Sequence, residues 1–268
     1  RLQVEHPVTE MITGTDLVEW QLRVAFGEPL PRAQEQLQIH GHALEARLYA
    51  EDADRGFLPS TGTLRHLRLP QATAHVRVDA GVEQGDAITP YYDPMIAKLI
   101  VWDVDRDAAL RRMDAALAAC QIAGVTTNTG FLRRLINTTS FAQAQLDTAL
   151  IEREQAALDA ASIATPALAR AIAATCLHAS QAAPARASGG EGWHSPWHSA
   201  DSWRSHGPVQ WPAVLADGQQ SQRWLVDGGN GHWQLLDPEQ QLHRLSGQVC
   251  ADGQFSLQLG HQRLHGQA

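Results

Sequence analysis

The chain has 268 residues, 44% of them apolar, and a formal charge of −8. That length allows one large domain or two modest ones with real cores, and the acidic balance argues against a nucleic-acid partner. No apolar run approaches membrane-spanning length and no signal-peptide pattern opens the sequence; Cys120, Cys176 and Cys250 are far apart, odd in number and without a CxxC pair, so they read as small buried hydrophobes.

The first element is Arg1-Leu2-Gln3-Val4-Glu5-His6-Pro7. If Arg1 to Glu5 is extended, alternation places Arg1, Gln3 and Glu5 on one face, about 7 Å apart at each step of two residues. Such a face can hold a small oxyanion with Arg and Gln while a carboxylate removes its proton. The plain alternative is an edge strand with a solvated polar face. Next, Asp16 to Phe26 reads as a helix capped by Thr15 or Asp16 and ended by Gly27. Leu17, Val18, Leu22 and Ala25 are expected to face a core, with Trp20 and Phe26 packing beside them.

Between Ile39 and Asp52, Leu44, Ala46, Leu48 and Ala50 alternate with Glu45, Arg47, Tyr49 and Glu51. This predicts a half-buried strand with Glu45 and Arg47 together on its polar face. Thr63 to Leu69 and His75 to Asp79 read as further strands, Gly81 to Ile88 as a turn, and Tyr92-Asp93-Pro94 as a turn feeding a buried strand through Val101. Arg106 to Gln121 is a helix started by Asp105 or Asp107, with Leu110, Met113, Leu117 and Cys120 as its apolar stripe; Asn128 is placed to cap another. Glu152 to Ala164 reads as an alanine-rich helix. A second such helix starts at Thr165-Pro166, runs through His178 and carries a thin stripe of Leu168, Ile172 and Leu177. Gln181 to Gly192 has linker composition. From Trp193 on, six of the eight tryptophans and short alternating runs separated by Asp217-Gly218, Gly228 to Gly231, Asp237-Pro238 and Asp252-Gly253 predict a β-meander. Clustered Trp there reads as core or as a protein interface, or as an aromatic binding surface.

Several segments resemble one family. Arg1 to Gly14 resembles the RLQVEHPVTEMITG signature of biotin carboxylases, members of the ATP-grasp superfamily. Gly41 to Asp52 is similar to the GHAxExRxxAED motif, Phe57 to Gly62 to FLPSxG, Pro90 to Leu99 to PxYDxMIxKL, and Gly124 to Asn128 to a GVxTN-like segment. The resemblance implies an α+β fold: the C-terminal lobe of a biotin carboxylase over 1–151, a helical segment and linker over 152–192, and a small antiparallel β-barrel-like inter-subunit domain over 193–268. It implies that Arg1, Gln3 and the Val4 backbone hold bicarbonate, that Glu5 is the general base, and that Arg47 stabilises charge on the biotin ureido oxygen. His6, Glu45, Tyr92, Asp93 and Lys98 would support this cluster. Biotin, ATP and Mg²⁺ (or Mn²⁺) are the implied cofactors. The resemblance places the glycine-rich phosphate loop, the ATP-binding lysines and the Glu-Met-Asn metal-binding segment upstream of Arg1, and a biotinyl domain after the last residue. The chain is therefore expected to begin and end inside a longer protein, to hold no metal itself, and to be inactive alone.

Gly192 to Arg204 resembles the HSPWxxxDGWR-like stretch of methylcrotonyl-CoA and geranyl-CoA carboxylase α subunits, with Ser202 in place of the usual glycine. That implies a ligase subunit working with a carboxyltransferase β subunit and a biotinyl carrier domain, with a biotin carboxylase homodimer contact as a further option. The implied process is methylcrotonyl-CoA carboxylation in leucine degradation. Geranyl-, propionyl- and acetyl-CoA carboxylases share the catalytic motifs, and a purely assembling module is the reading from another class. The implied compartment is the cytoplasm of a bacterium, or the mitochondrial matrix if the source is a eukaryote. His194, His198 and His206 suggest a metal, but their spacing lacks a Cys, Asp or Glu to complete a set.

Overall fold

The computed structural model describes residues 2–159, 167–187, 210–217, 220–250, 253–260 and 262–267. Contacts divide the chain into two units, Arg1–Ser162 and Ile163–Ala268. The first unit carries, in order, α1 (Pro7–Thr13), α2 (Leu17–Ala25), β1 (His42–Tyr49), β2 (Glu51–Asp52), β3 (Leu58–Pro59), β4 (Gly62–Thr63), β5 (His66–Arg68), β6 (Val76–Ala80), β7 (Ala87–Ile88), β8 (Met95–Asp103), α3 (Arg106–Ala119), β9 (Gln121–Ala123), α4 (Thr129–Ile136), α5 (Thr139–Ala142), α6 (Leu150–Arg153) and α7 (Gln155–Leu158). The second carries α8 (Ala167–Ala187), β10 (Trp211–Asp217), β11 (Gln220–Gly229), β12 (His232–Leu236), β13 (Leu242–Val249), β14 (Gln254–Leu259) and β15 (Gln262–Gln267).

An antiparallel sheet in the order β1-β8-β6 organises the first unit. Leu44, Ala46 and Leu48 leave one face of β1, where Leu99 and Val101 of β8 join Leu110, Met113 and Leu117 of α3 in a core. Asp105 caps α3 by accepting from the Ala108 N–H at 2.7 Å. The opposite face carries Glu45 and Arg47 on β1, Lys98 and Ile100 on β8, and Arg77 and Asp79 on β6, as the registers Arg47↔Lys98↔Asp79 and Glu45↔Ile100↔Arg77 require. Leu99 is fully buried at the centre of the apolar face. Leu99→Ala is expected to lower the stability of this unit by about 2–5 kcal/mol, read as a lower denaturant midpoint for its transition.

Four expectations for this unit change. Arg1 lies outside the described residues, and residues 3–6 form a turn, with the His6 N–H reaching Gln3 O at 3.4 Å and the Val8 N–H reaching Glu5 O at 3.2 Å. The cause is Pro7, which fixes its own φ and opens α1 as the first helical residue, while Gly14 at φ 63° closes it. Thr63 to Leu69 is two short strands: β4 pairs with β7, and β5 with β9, neither partner being anticipated. Gly124 lets these pieces approach, because a Cβ there would collide with the Thr63 carbonyl. The helix at Asp16 is present and capped by Asp16, whose side chain accepts from the Glu19 N–H at 2.9 Å. Its apolar residues, however, do not enter this core: Val18, Leu22 and Phe26 are exposed, Phe26 by 83%. The alanine-rich stretch after Glu152 gives the end of α6 and the short α7; residues 160–166, including Thr165-Pro166, lie outside the described residues.

In the second unit β10 to β15 each pair with the next to make a six-stranded antiparallel sheet. Asn230 and Gly231, both at positive φ, form the β11–β12 turn as an Asn-Gly hairpin should. Trp224, Val226, Trp233, Leu235, Leu245 and Leu257 point to one core, so these two tryptophans are packing residues. That core is covered by Ala171 and Ala174 of α8. The buried stripe of α8 is therefore the small residues Ala171, Ala174, Thr175 and Cys176, which admit close approach; of the expected Leu168, Ile172 and Leu177, Ile172 packs partly buried against this core and Leu177 is exposed. The helix also continues to Ala187 through what reads as linker. Cys176 is buried and Cys120 half-buried, and burial pushes both thiols up to about 11, but Cys250 is exposed. Trp193, Trp197, Trp203, His194, His198 and His206 lie outside the described residues, as do the turn residues Gly218 and Asp252.

Candidate active site

The strand face opposite the core gathers Glu45, Arg47, Arg77, Asp79 and Lys98. The α1 helix lies over it, and two carboxylates reach down from α1 and its preceding turn. Glu5 Oε2 accepts from Arg47 Nη2 at 3.3 Å, and Glu10 Oε2 accepts from Arg77 Nη1 at 2.7 Å. Glu10 Oε1 also accepts from the Leu17 N–H at 2.8 Å, so one carboxylate ties α1, the start of α2 and β6 together.

Arg47 stands between two carboxylates. Its Nε donates to Glu45 Oε1 at 3.2 Å on the same strand, while Nη2 faces Glu5. Burial works against the charge, yet the hydrogen bond and charge of Glu45 hold the guanidinium above its ordinary range, with Tyr49 adding to the effect. Glu45 is almost completely buried and, among the described residues, its Oε2 has no hydrogen-bond partner. A buried carboxylate oxygen left without a donor costs free energy. Glu5 is more than half exposed, and an ion pair of that kind adds under about 1 kcal/mol. Its value lies in where it places the carboxylate.

A second group braces this one. Asp79 accepts from Arg77 at 2.8 and 2.9 Å and pairs with Lys98 at 3.3 Å. Burial opposes ionisation of Asp79, but the Arg77 and Lys98 charges outweigh it and hold its carboxyl below the usual range. A lowered folded pKa makes its stabilisation complete above the ordinary aspartate value near 4, and that stabilisation is lost as pH falls through the lowered one. Asp79→Asn is expected to flatten the acid limb of the stability curve below about pH 4, measured by denaturant titration at several pH values.

The structure thus brings Glu5, Glu45 and Arg47 together and sets Lys98 beside Arg47 on the next strand. Gln3 and Val4 lie in the turn before α1. His6 directs Nδ1 at Thr9 Oγ1, 3.2 Å away, and braces the first turn of α1. Asp93 does not join the cluster: its Oδ1 accepts from the Met95 N–H at 2.9 Å and shapes the turn before β8. Burial first, and then the Asp93 charge, raise the pKa of Glu51. Tyr92 is exposed. Sequence reasoning missed Glu10, Arg77 and Asp79, whose partners lie up to 67 residues away. Their only signal was the acidic end of the opening motif. Among the described residues no group of three His, Cys, Asp or Glu side chains could hold a metal ion. Arg47, with its side chain 37% exposed, is the cation of this face that a small ligand with an anionic oxygen can meet.

Residues 45–153 match the family model for the biotin carboxylase C-terminal domain, and residues 1–33 match that for the carbamoyl-phosphate synthase L chain ATP-binding domain. The chain is 58% identical over 155 residues to a mitochondrial methylcrotonoyl-CoA carboxylase subunit alpha from Oryza sativa, covering 58% of this chain and 21% of the relative. It is 48% identical over 204 residues to the corresponding Dictyostelium discoideum subunit, covering 76% and 29%. Among solved structures, the biotin carboxylase domain dimer of Hydrogenobacter thermophilus 2-oxoglutarate carboxylase, in complex with MgADP, ADP and bicarbonate, matches with TM-score 0.58 and 42% identity over 60% of this chain and 36% of that one. The chain thus spans less than a third of the length of these two carboxylase subunits.

Proposed function

Residues 45–153 belong to the biotin carboxylase C-terminal domain family, and on that premise we propose that this chain supplies the bicarbonate- and biotin-facing half of a biotin carboxylase active site in an acyl-CoA carboxylase α subunit. The observation that carries the reading is the Arg47 guanidinium held between Glu5 and Glu45 at 3.3 and 3.2 Å. Glu5, at the solvent side, takes the proton of bicarbonate onto its carboxylate. Arg1, Gln3 and the Val4 backbone hold the anion, as a cation and an amide suit an oxyanion. Arg47 turns its remaining N–H groups to the ureido oxygen of biotin as negative charge builds there, a task for a fixed and permanently charged fork. Glu45 keeps that fork in place and Lys98 holds Asp79 on the neighbouring strands, while His6 braces the first turn of α1 and Asp93 shapes the turn before β8. ATP with Mg²⁺, bound outside the described residues, would supply the activation of bicarbonate.

The domain reading is a carboxylase lobe over 1–151, a helical segment over 152–192 and an inter-subunit domain over 193–268. Similarity to the Dictyostelium subunit runs over 204 residues, more than the first unit contains, which favours a methylcrotonyl-CoA carboxylase. It also favours a role for the second unit in docking a carboxyltransferase β subunit. Retention of the 268-residue chain by an immobilised β subunit at micromolar concentration tests the docking role, and no retention of the folded chain sinks it. The catalytic role is tested in a chimaera in which residues 1–153 replace the matching segment of a full-length relative. ATP cleavage that depends on both bicarbonate and biotin is expected; a folded chimaera that binds ATP without such cleavage overturns the reading.

A further inference from the structure

Asn128 precedes α4, where an Asn would normally turn its side-chain oxygen onto the first free N–H groups of the helix. It makes no such bond. Its side chain is buried and reaches the β1 backbone: Nδ2 donates to Arg47 O at 3.1 Å, and Oδ1 accepts from the Tyr49 N–H at 3.0 Å. Its own N–H reaches Tyr49 O at 3.2 Å. These three bonds reproduce what a neighbouring strand would make along the open edge of β1.

On the other edge, the β1–β8 ladder is regular from His42 to Leu48 and then skips. Leu48 faces Ala97, but Tyr49 faces Met95, leaving Ile96 as an extra residue on β8. An irregularity of this kind bends the pairing and re-aims the side chains beside it. Arg47 lies one residue before Leu48, the last regular pair. The direction in which Arg47 leaves the strand is therefore set from two sides, by the bulge and by the Asn128 amide.

We propose that Asn128 is a positioning residue for biotin carboxylation, acting through Arg47 without touching substrate. The proposal rests on the reading of Arg47 as the group that meets the biotin oxygen. Asn128→Asp is the informative variant, because it keeps the size and the Oδ1 acceptor but replaces the donor to Arg47 O by a second acceptor. In the 268-residue chain labelled with ¹⁵N, the Arg47 Nε–Hε signal is expected to be sharp in the native protein and exchange-broadened in Asn128→Asp. In the chimaera the variant is expected to lower kcat/KM for biotin about 10- to 100-fold, with the KM for ATP unchanged. Combined with Arg47→Lys, it adds nothing to the loss that Arg47→Lys causes alone. If Asn128→Asp does not fold, Asn128→Ser is read by the same three measurements. Full biotin turnover in the variant, or losses that multiply in the double variant, overturns the proposal while leaving the role of Arg47 intact. Unchanged turnover in Arg47→Lys alone overturns both.

Discussion

Replacing Glu5 by glutamine in the chimaera is expected to lower kcat for biotin carboxylation by about two to four orders of magnitude, the range typical of losing a positioned general base. That is about 3–5 kcal/mol of transition-state stabilisation. The substitution isolates the proton acceptor. Glutamine keeps an oxygen that can accept from Arg47 Nη2, so the turn before α1 keeps its contact to β1. Glu5 is more than half exposed, so stability should move by no more than about 0.5 kcal/mol. A steady-state assay with saturating ATP measures the effect. Retention of near-normal kcat would remove Glu5 from the role of base, because nothing about its fold contribution could hide the loss.

Arg47→Ala is expected to have the second large effect, about a hundred- to a thousandfold on kcat/KM for biotin, comparable with removing a donor aimed at a developing oxyanion. Two consequences should separate it from Glu5→Gln. It leaves the buried Glu45 with neither oxygen satisfied, so some stability is lost as well. Arg47→Lys should restore that stability but little of the rate, because a point ammonium cannot donate to Glu45, Glu5 and a ligand in one plane. Melting curves and biotin kinetics on the two variants read these outcomes side by side.

The parts of the fold with long periodic signals were legible. Alternation over residues 44 to 50 places Arg47 and Glu45 together, and the helix after Asp105 has its cap and stripe where expected. The start of the chain misled because alternation over five residues competed with a stronger signal: proline at position 7 and glycine at 14 bracket a short helix. The charged pair of the site survives that error, since Glu5 reaches Arg47 from a turn as well as from a strand. The α2 helix shows the opposite lesson. Its period is right, but period cannot say whether a partner for Val18, Leu22 and Phe26 lies in the same unit. Asn128 carries a local cap signature and spends its amide on residues 79 and 81 positions away. No local rule could have assigned those bonds, nor the Glu10–Arg77 pair. The alanine stripe of α8 was misread because hydrophobicity ranks leucine first, whereas close docking on a sheet selects small residues.

The most direct measurement is formation of acid-labile radioactive carboxybiotin from ¹⁴C-bicarbonate, ATP and free biotin by the chimaera containing residues 1–153. The account predicts label in biotin with the native segment, and a loss of at least a hundredfold in initial rate with Glu5→Gln. Equal rates of labelling by the native and Glu5→Gln chimaeras, or none from a folded native one, would contradict it.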